Sequence, residues 1–357
     1  MDNERILKYK KVVTFGEVML RLTTPSFQRF SQAGQLVATF GGSEANVAVS
    51  LANFGIPTEF VTRLPDNAVA HACIASLRAN GLGTEGIVFG GKRMGLYYLE
   101  AGAAFRNSNV VYDRDGSAFA TLKPGMIDWE HVLADAGWFH WSGIAAALSQ
   151  DGADACREAI ETAHRMGLVI SCDLNFRKKL WNYGRTAAEV MQPLVAYSDV
   201  LFGAEPEYLE ILGVKPVGFK ATTEEDTSFQ DNLPAFEDYG RQVSKLVPRC
   251  RKIFLELRNS ITSNHNLLAA VLYSDGSLKH TGIYDIEHEV DRVGAGDAFV
   301  GGLIYGLIAY PDNDQKALDF ALAASALKNT VYGDFNQVSV EEVENLMQGN
   351  KAGRVMR

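Results

Sequence analysis

Residues Asp291-Arg292-Val293-Gly294-Ala295-Gly296-Asp297 place three small residues and a carboxylate at what reads as the start of a helix. Small residues let the backbone turn tightly, and the first N–H groups of the helix stay unpaired and attract anions. A carboxylate at that mouth can take a proton from a hydroxyl while the N–H groups stabilise charge developing on a phosphoryl group. The chemistry indicated is phosphoryl transfer to an alcohol. On this segment alone, an ordinary glycine-rich turn with Asp297 as a first-turn helix acid fits equally well.

A second segment, Gly41-Gly42-Ser43-Glu44-Ala45-Asn46, opens a helix whose Val47, Ala48 and Leu51 recur at helical spacing and so face the core. The diglycine lets a ligand approach the backbone, and Asn46 offers a donor and an acceptor to sugar hydroxyls, although a plain helix start has the same composition. In this order and about 250 residues apart, the two segments resemble the signatures of the ribokinase-like (PfkB) carbohydrate kinase family. The resemblance spans nearly the whole chain. It implies that Gly294, Ala295 and Gly296 form an anion hole, that Asp297 is the catalytic base, and that Gly42 and Asn46 belong to the sugar site. It implies ATP and Mg2+ as cofactors, and monovalent cation activation is known in the family.

The elements that must position these residues are legible as periodicity. Val12–Phe15, Trp138–Trp141, Leu168–Leu174, Asp199–Phe202 and Ile253–Leu257 read as buried strands, with helices such as Asp154–Met166 and Thr186–Val195 between them. That is βαβ architecture around a largely parallel sheet, with ligands at the carboxyl ends of the strands. The expected fold is α/β, a ribokinase-like three-layer α/β/α domain spanning 1–357. Residues 18–40 and 92–120 break the rhythm as antiparallel hairpin material, which the resemblance makes a small β-sheet lid and a homo-oligomer (dimer or higher) interface. A lid suits a kinase, since water in the site would compete with the sugar hydroxyl. Residues 214–238 are polar and acidic without clear periodicity and read as a mobile surface excursion near the nucleotide.

Composition narrows the classes. A chain of 357 residues with 47% apolar content can bury one large α/β core or two smaller domains. Its 34 basic and 43 acidic residues leave a net charge of −9, which argues against a nucleic-acid partner. Cys73, Cys156, Cys172 and Cys250 lack C-x-x-C spacing and read as reduced core thiols. The charged start, Met1 to Lys11, lacks the apolar stretch of a signal peptide, and no run approaches the roughly 20 residues that span a bilayer, so no membrane and a cytoplasmic location are expected. Trp138, His140 and Trp141 lie at strand spacing and read as core.

Three details point to a sugar acid as substrate. Asp173-Leu174-Asn175-Phe176-Arg177 leaves a strand at the ligand edge, where the fork of Arg177 suits a carboxylate. Tyr112-Asp113-Arg114 offers a second arginine on the lid. Both arginines could instead bridge neighbouring acids such as Asp173 and Asp113. Glu17 stands where many relatives that use neutral sugars carry Asp. With Leu327–Asn336, these resemble the 2-keto-3-deoxygluconate kinase branch, which implies that Gly42, Tyr97, Tyr112, Arg114 and Arg177 contact the substrate and Asp297 faces its 6-hydroxyl. The product would be 2-keto-3-deoxy-6-phosphogluconate. The alternatives are a fructokinase or other neutral-sugar kinase, and, in another class, a catalytically silent sugar-acid binding protein.

Two segments depart from the family pattern. Ala204-Glu205-Pro206-Glu207 keeps the acidic position of Asn-x-x-Glu, leaving Glu207 an indirect magnesium role, but loses its amide. The strap Leu257–Asn266 replaces glycines with hydroxyls and amides, among which Ser260 and Asn264 are the candidate nucleotide contacts. No G-x-x-x-x-G-K-[ST], no G-x-G-x-x-G after the first strand and no H-E-x-x-H occurs, which disfavours a Walker-type NTPase, a nicotinamide enzyme and a zinc hydrolase.

Overall fold

Val12, Val13, Thr14 and Phe15 are all fully buried, as a strand covered by helices on both faces must be. They belong to the central sheet of the computed structural model, which describes residues 10–350; most of the charged start, residues 1–9, lies outside the described residues. Along the chain the strands of the two larger sheets are β1 (Lys11–Phe15), β2 (Met19–Thr23), β3 (Val37–Gly41), β4 (Thr58–Val61), β5 (Leu96–Glu100), β6 (Asn109–Asp113), β7 (Ala136–Ser142), β8 (Val169–Asp173), β9 (Val200–Gly203), β10 (Lys252–Thr262), β11 (His265–Ser274), β12 (Ser277–His280) and β13 (Tyr284–Ile286). The longer helices are α1 (Ser43–Asn53), α2 (Ala68–Ala79), α3 (Gln150–Arg165), α4 (Ala187–Val195), α5 (Leu233–Leu246), α6 (Ala295–Ala309) and α7 (Asp314–Lys328).

Nine strands form the main sheet, in the order β12-β11-β10-β9-β8-β7-β1-β4 with β13 also on β11. From β4 to β10 every pairing is parallel; β11, β12 and β13 add antiparallel pairings at one side. Alternate residues of β1 feed opposite faces. Val13 and Phe15 join Cys156, Ala159 and Ile160 of α3, whereas Val12 joins Val47 and Leu51 of α1, Leu303 of α6 and Phe320 of α7. The three-layer α/β/α expectation therefore holds.

The lid is a separate four-stranded sheet, β3-β2-β5-β6, made of two antiparallel hairpins joined by a parallel β2–β5 pairing. Residues 214–238 differ from expectation. Val214, Ala221, Phe229 and Phe236 are buried, and Phe229 packs edge-on against Phe219 and Phe236. The wide spacing of these anchors among acidic residues hides the core contact from a periodicity search. All four cysteines are buried and free, and His140 and Trp141 are fully buried in β7. Among the described residues no helix is long and apolar enough to cross a membrane.

Candidate active site

The order of strands reverses beside β1, so the carboxyl ends of β1, β7, β8 and β9 open a crevice at a topological switch point. A cavity of about 1790 Å³ lies there, walled by the lid, the start of α6 and the β10–β11 hairpin. Such a volume accommodates a small sugar and a nucleotide together.

Asp297 reaches this cavity because two helices can approach closely. Gly301 of α6 lies against Ser50 of α1, where any side chain would collide. One turn earlier on each helix, Asn46 and Asp297 meet. Asn46 Nδ2 donates to Asp297 Oδ2 at 2.7 Å, and Ser43 Oγ donates to Oδ1 at 2.7 Å. Asn175 Nδ2 in turn donates to Ser43 Oγ at 2.9 Å from a backbone held at φ 39°, a conformation costly for a residue with a side chain. Burial raises the Asp297 pKa to about 6, against the lowering pull of the Asn46 and Ser43 hydrogen bonds. A carboxylate so held is a fixed acceptor poised near neutral pH. The Asn46 amide oxygen accepts from the Gly42 N–H at 3.3 Å and its nitrogen donates one of its two hydrogens to Asp297, so Asn46, which lines the cavity, also holds that carboxylate.

Gly294 caps α6 in the left-handed region, φ 86°, with Asp334 carbonyl where a Cβ would stand. Arg292 carbonyl accepts from the Ala295 N–H at 3.1 Å, and the N–H groups of Gly296 and Asp297 face the helix mouth. Arg21 on β2 is sealed from solvent and pairs with Asp291 at 2.5 Å and Asp334 at 2.7 Å, while Tyr97 Oη lies 2.7 and 2.6 Å from the two Asp334 carboxylate oxygens. Lys328, fully buried at the end of α7, donates to the carbonyls of Asp291 and Val331 at 3.0 and 3.1 Å. Sequence reasoning missed Arg21, Asp334 and Lys328 as supports of the Gly294 turn. The available signal was polar residues, Arg21 among them, interrupting otherwise apolar elements.

On the lid side, Arg114 Nε donates to Glu17 Oε2 at 2.8 Å, Ser117 Oγ donates to Oε1 at 2.5 Å, and Arg114 lies over the Tyr112 ring, 5.9 Å from its centroid. Asp113, the neighbouring acid, pairs with Arg93 instead. Arg177 is half exposed and pairs loosely with Glu207 at 3.4 Å. Gly42, Tyr97, Tyr112, Arg114 and Arg177 all line the one cavity. A group of acids, Glu44, Asp173 and Glu207, lines it with them. Burial raises Glu44 to about 7, with Ser142 Oγ donating to it, and pushes Asp173 up, reinforced by Glu207 and Asp297.

The strap region is a hairpin of β10 and β11 with a tight turn at 263–264. Ser260 and Asn264 both line the cavity, but Ser260 Oγ donates to Asn266 at 2.5 Å and Asn264 Oδ1 accepts from the Ala104 N–H of the lid at 3.2 Å. Glu207 Oε2 accepts from the Ala204 N–H at 2.9 Å, and its Oε1 faces Arg177. Among the described residues no group of three His, Cys, Asp or Glu side chains could cage a metal. Glu207, on the cavity wall, could support Mg2+ carried on nucleotide phosphates.

Residues 9–232 and 268–339 match the model of the pfkB family carbohydrate kinases. The chain belongs to that family. A 2-dehydro-3-deoxygalactonokinase of Haloferax volcanii is 32% identical over 348 residues, covering 96% of this chain and 98% of that one. The crystal structure of 2-dehydro-3-deoxygluconokinase from Thermotoga maritima superposes with a TM-score of 0.88 at 40% identity, over 96% of this chain and 100% of that one. Fructokinase-1 of Oryza sativa subsp. japonica is 28% identical over 350 residues, 94% of this chain and 97% of that one. This PfkB protein is thus a sugar kinase, transferring a phosphoryl group to an alcohol on a ribokinase-like fold. The gap between the two matched segments, 233–267, contains the whole of the altered strap, Leu257–Asn266.

Proposed function

We propose that this kinase phosphorylates 2-keto-3-deoxy-D-gluconate at its 6-hydroxyl, using ATP. The observation that carries the reading is that one cavity is lined both by a carboxylate held by Ser43 and Asn46 at the start of α6 and by two arginines, Arg114 and Arg177. The arginines suit the carboxylate end of a sugar acid. The far hydroxyl then meets Asp297, which takes its proton as the oxygen bonds to the terminal phosphorus of ATP and the bond to the bridging oxygen breaks, releasing ADP. First-turn N–H groups of α6 stabilise the charge on the transferring group. Mg2+ carried on the phosphates supplies charge neutralisation, with Glu207 in indirect support. One helix mouth thus serves both the hydroxyl and the phosphate.

Glu17 supports the acid reading as the residue that pairs with and fixes Arg114, both lining the cavity. The likeness to a 2-dehydro-3-deoxygalactonokinase supports a second reading, the C4 epimer of the same acid. We further propose a single domain closing its lid over the sugar, and assembly of copies through the exposed edge strand β6.

The test is ADP release with Mg2+ and ATP on 2-keto-3-deoxygluconate, 2-keto-3-deoxygalactonate, fructose, ribose and gluconate at matched concentrations. Preferential turnover of the keto-deoxy acids, with only weak turnover of fructose, is expected. Preferential turnover of fructose or ribose would discard the acid specificity, and turnover on none would return the silent binding protein. Repeating the assay in potassium and tetramethylammonium salts checks the monovalent cation. Little response is expected, because Lys328 already seats a positive charge on carbonyl oxygens beside the anion hole.

A further inference from the structure

Arg292 stands two residues before the helix-capping Gly294, half-buried on the cavity wall. Among the described residues its guanidinium has neither a hydrogen bond nor a carboxylate oxygen within ion-pairing distance. The acids around it are committed elsewhere. Glu289 accepts from Asn266 Nδ2 at 2.6 Å; Glu256 accepts from Ser325 Oγ at 2.9 Å and faces Arg258 at 3.7 Å. Arg258, on the same strand face as Glu256 and Ser260, also lines the cavity. Burial, and then the Arg258 charge, lower the pKa of Arg292, so the two guanidinium groups repel each other as they stand. Desolvating a cation without a partner is costly unless an anion arrives to occupy it.

We infer that Arg292 and Arg258 form a polyphosphate clamp on the β10 side of the anion hole, holding the phosphates of the donor nucleotide beyond the first. The inference rests on the kinase reading. The terminal phosphate must lie between the helix mouth and Asp297, so its neighbours along the chain of phosphates reach the wall that carries Arg292. Two planar forks there compensate for the glycines missing from the strap, since side-chain donors do the work that backbone N–H groups do in a glycine-rich loop. The clamp makes no demand on the sugar, whose arginines come from the lid and from the end of β8.

Titration calorimetry of the full-length protein with ADP and with AMP tests this independently of turnover. In R292Q the Kd for ADP should rise about ten-fold or more, and that for AMP less than about three-fold. R292K should recover part of the loss, and R258Q should show a smaller shift in the same direction. The KM for the sugar should stay within about two-fold of wild type, which a general distortion of the α6 mouth would not allow. ADP binding by R292Q equal to wild type would overturn the clamp and leave the kinase reading standing. Equal losses for ADP and AMP would overturn it too, by moving the effect away from the outer phosphates. A wild-type protein that binds no ADP and phosphorylates no sugar would remove both.

Discussion

Arg21 on the lid strand β2 donates to Asp334, 313 positions further along the chain, at 2.7 Å, and both side chains are almost sealed from solvent. Arg21 also pairs with Asp291, so a single guanidinium joins the lid to both loops that frame Gly294. Tyr97, from the neighbouring strand β5, reaches the same Asp334 carboxylate. Moving the lid strands therefore bears directly on the backbone around Gly294.

Arg21→Ala would strand two buried carboxylates, which typically costs about 3–5 kcal/mol. Urea unfolding should show that loss, with kcat falling as the loops around Gly294 relax. An unfolding midpoint like that of wild type would mean that Arg21 does not tie the two parts together.

With its pKa raised to about 6 by burial, Asp297 is ionised above that pH, as the proposed base must be, and protonated below it. At saturating substrates kcat should fall about ten-fold per pH unit below 6 and level off above 7. Asp297→Asn should lower kcat by about 10²–10⁴-fold with the fold retained. A pH-independent rate between 5 and 7 would show that another group takes the proton.

Arg177 is half exposed and its 3.4 Å contact with Glu207 is a loose one, so it gives up little to meet a ligand. Arg177→Ala should raise the KM for a keto-deoxy sugar acid about ten-fold or more and leave the weak KM for fructose unchanged. Equal effects on both sugars would assign Arg177 to the phosphates instead of the acid.

Glu44 is fully enclosed, and burial lifts its pKa from the usual carboxylate range to about 7. A raised carboxyl pKa means that the folded state holds the proton more tightly than the unfolded one. The stabilisation is present below about pH 4.5 and is lost as the pH rises through 7, in total about 3 kcal/mol. Glu44→Gln should remove that slope, leaving the variant less pH-sensitive than wild type between pH 5 and 8 in parallel denaturant titrations. Superimposable slopes would place the titration elsewhere.

The amino-acid sequence by itself determined the elements and the two glycine-bearing segments, because these rest on local physics. Period-2 and period-3.6 burial, tight turns at small residues and free N–H groups at a helix start involve neighbours within a few positions. The parallel strands, α1, α6 and the lid hairpins follow from such patterns. Tertiary structure alone decided what lies opposite what. Asn46 meets Asp297 only because Gly301 lets α6 approach Ser50, one turn away on both helices. Arg21 finds Asp334, and Arg292 stands beside Arg258, through pairings that no periodicity encodes. The anchors of 214–238 were hidden for the same reason: Phe229 and Phe236 are core residues by virtue of what packs on them, in a segment whose composition describes only its exposed side.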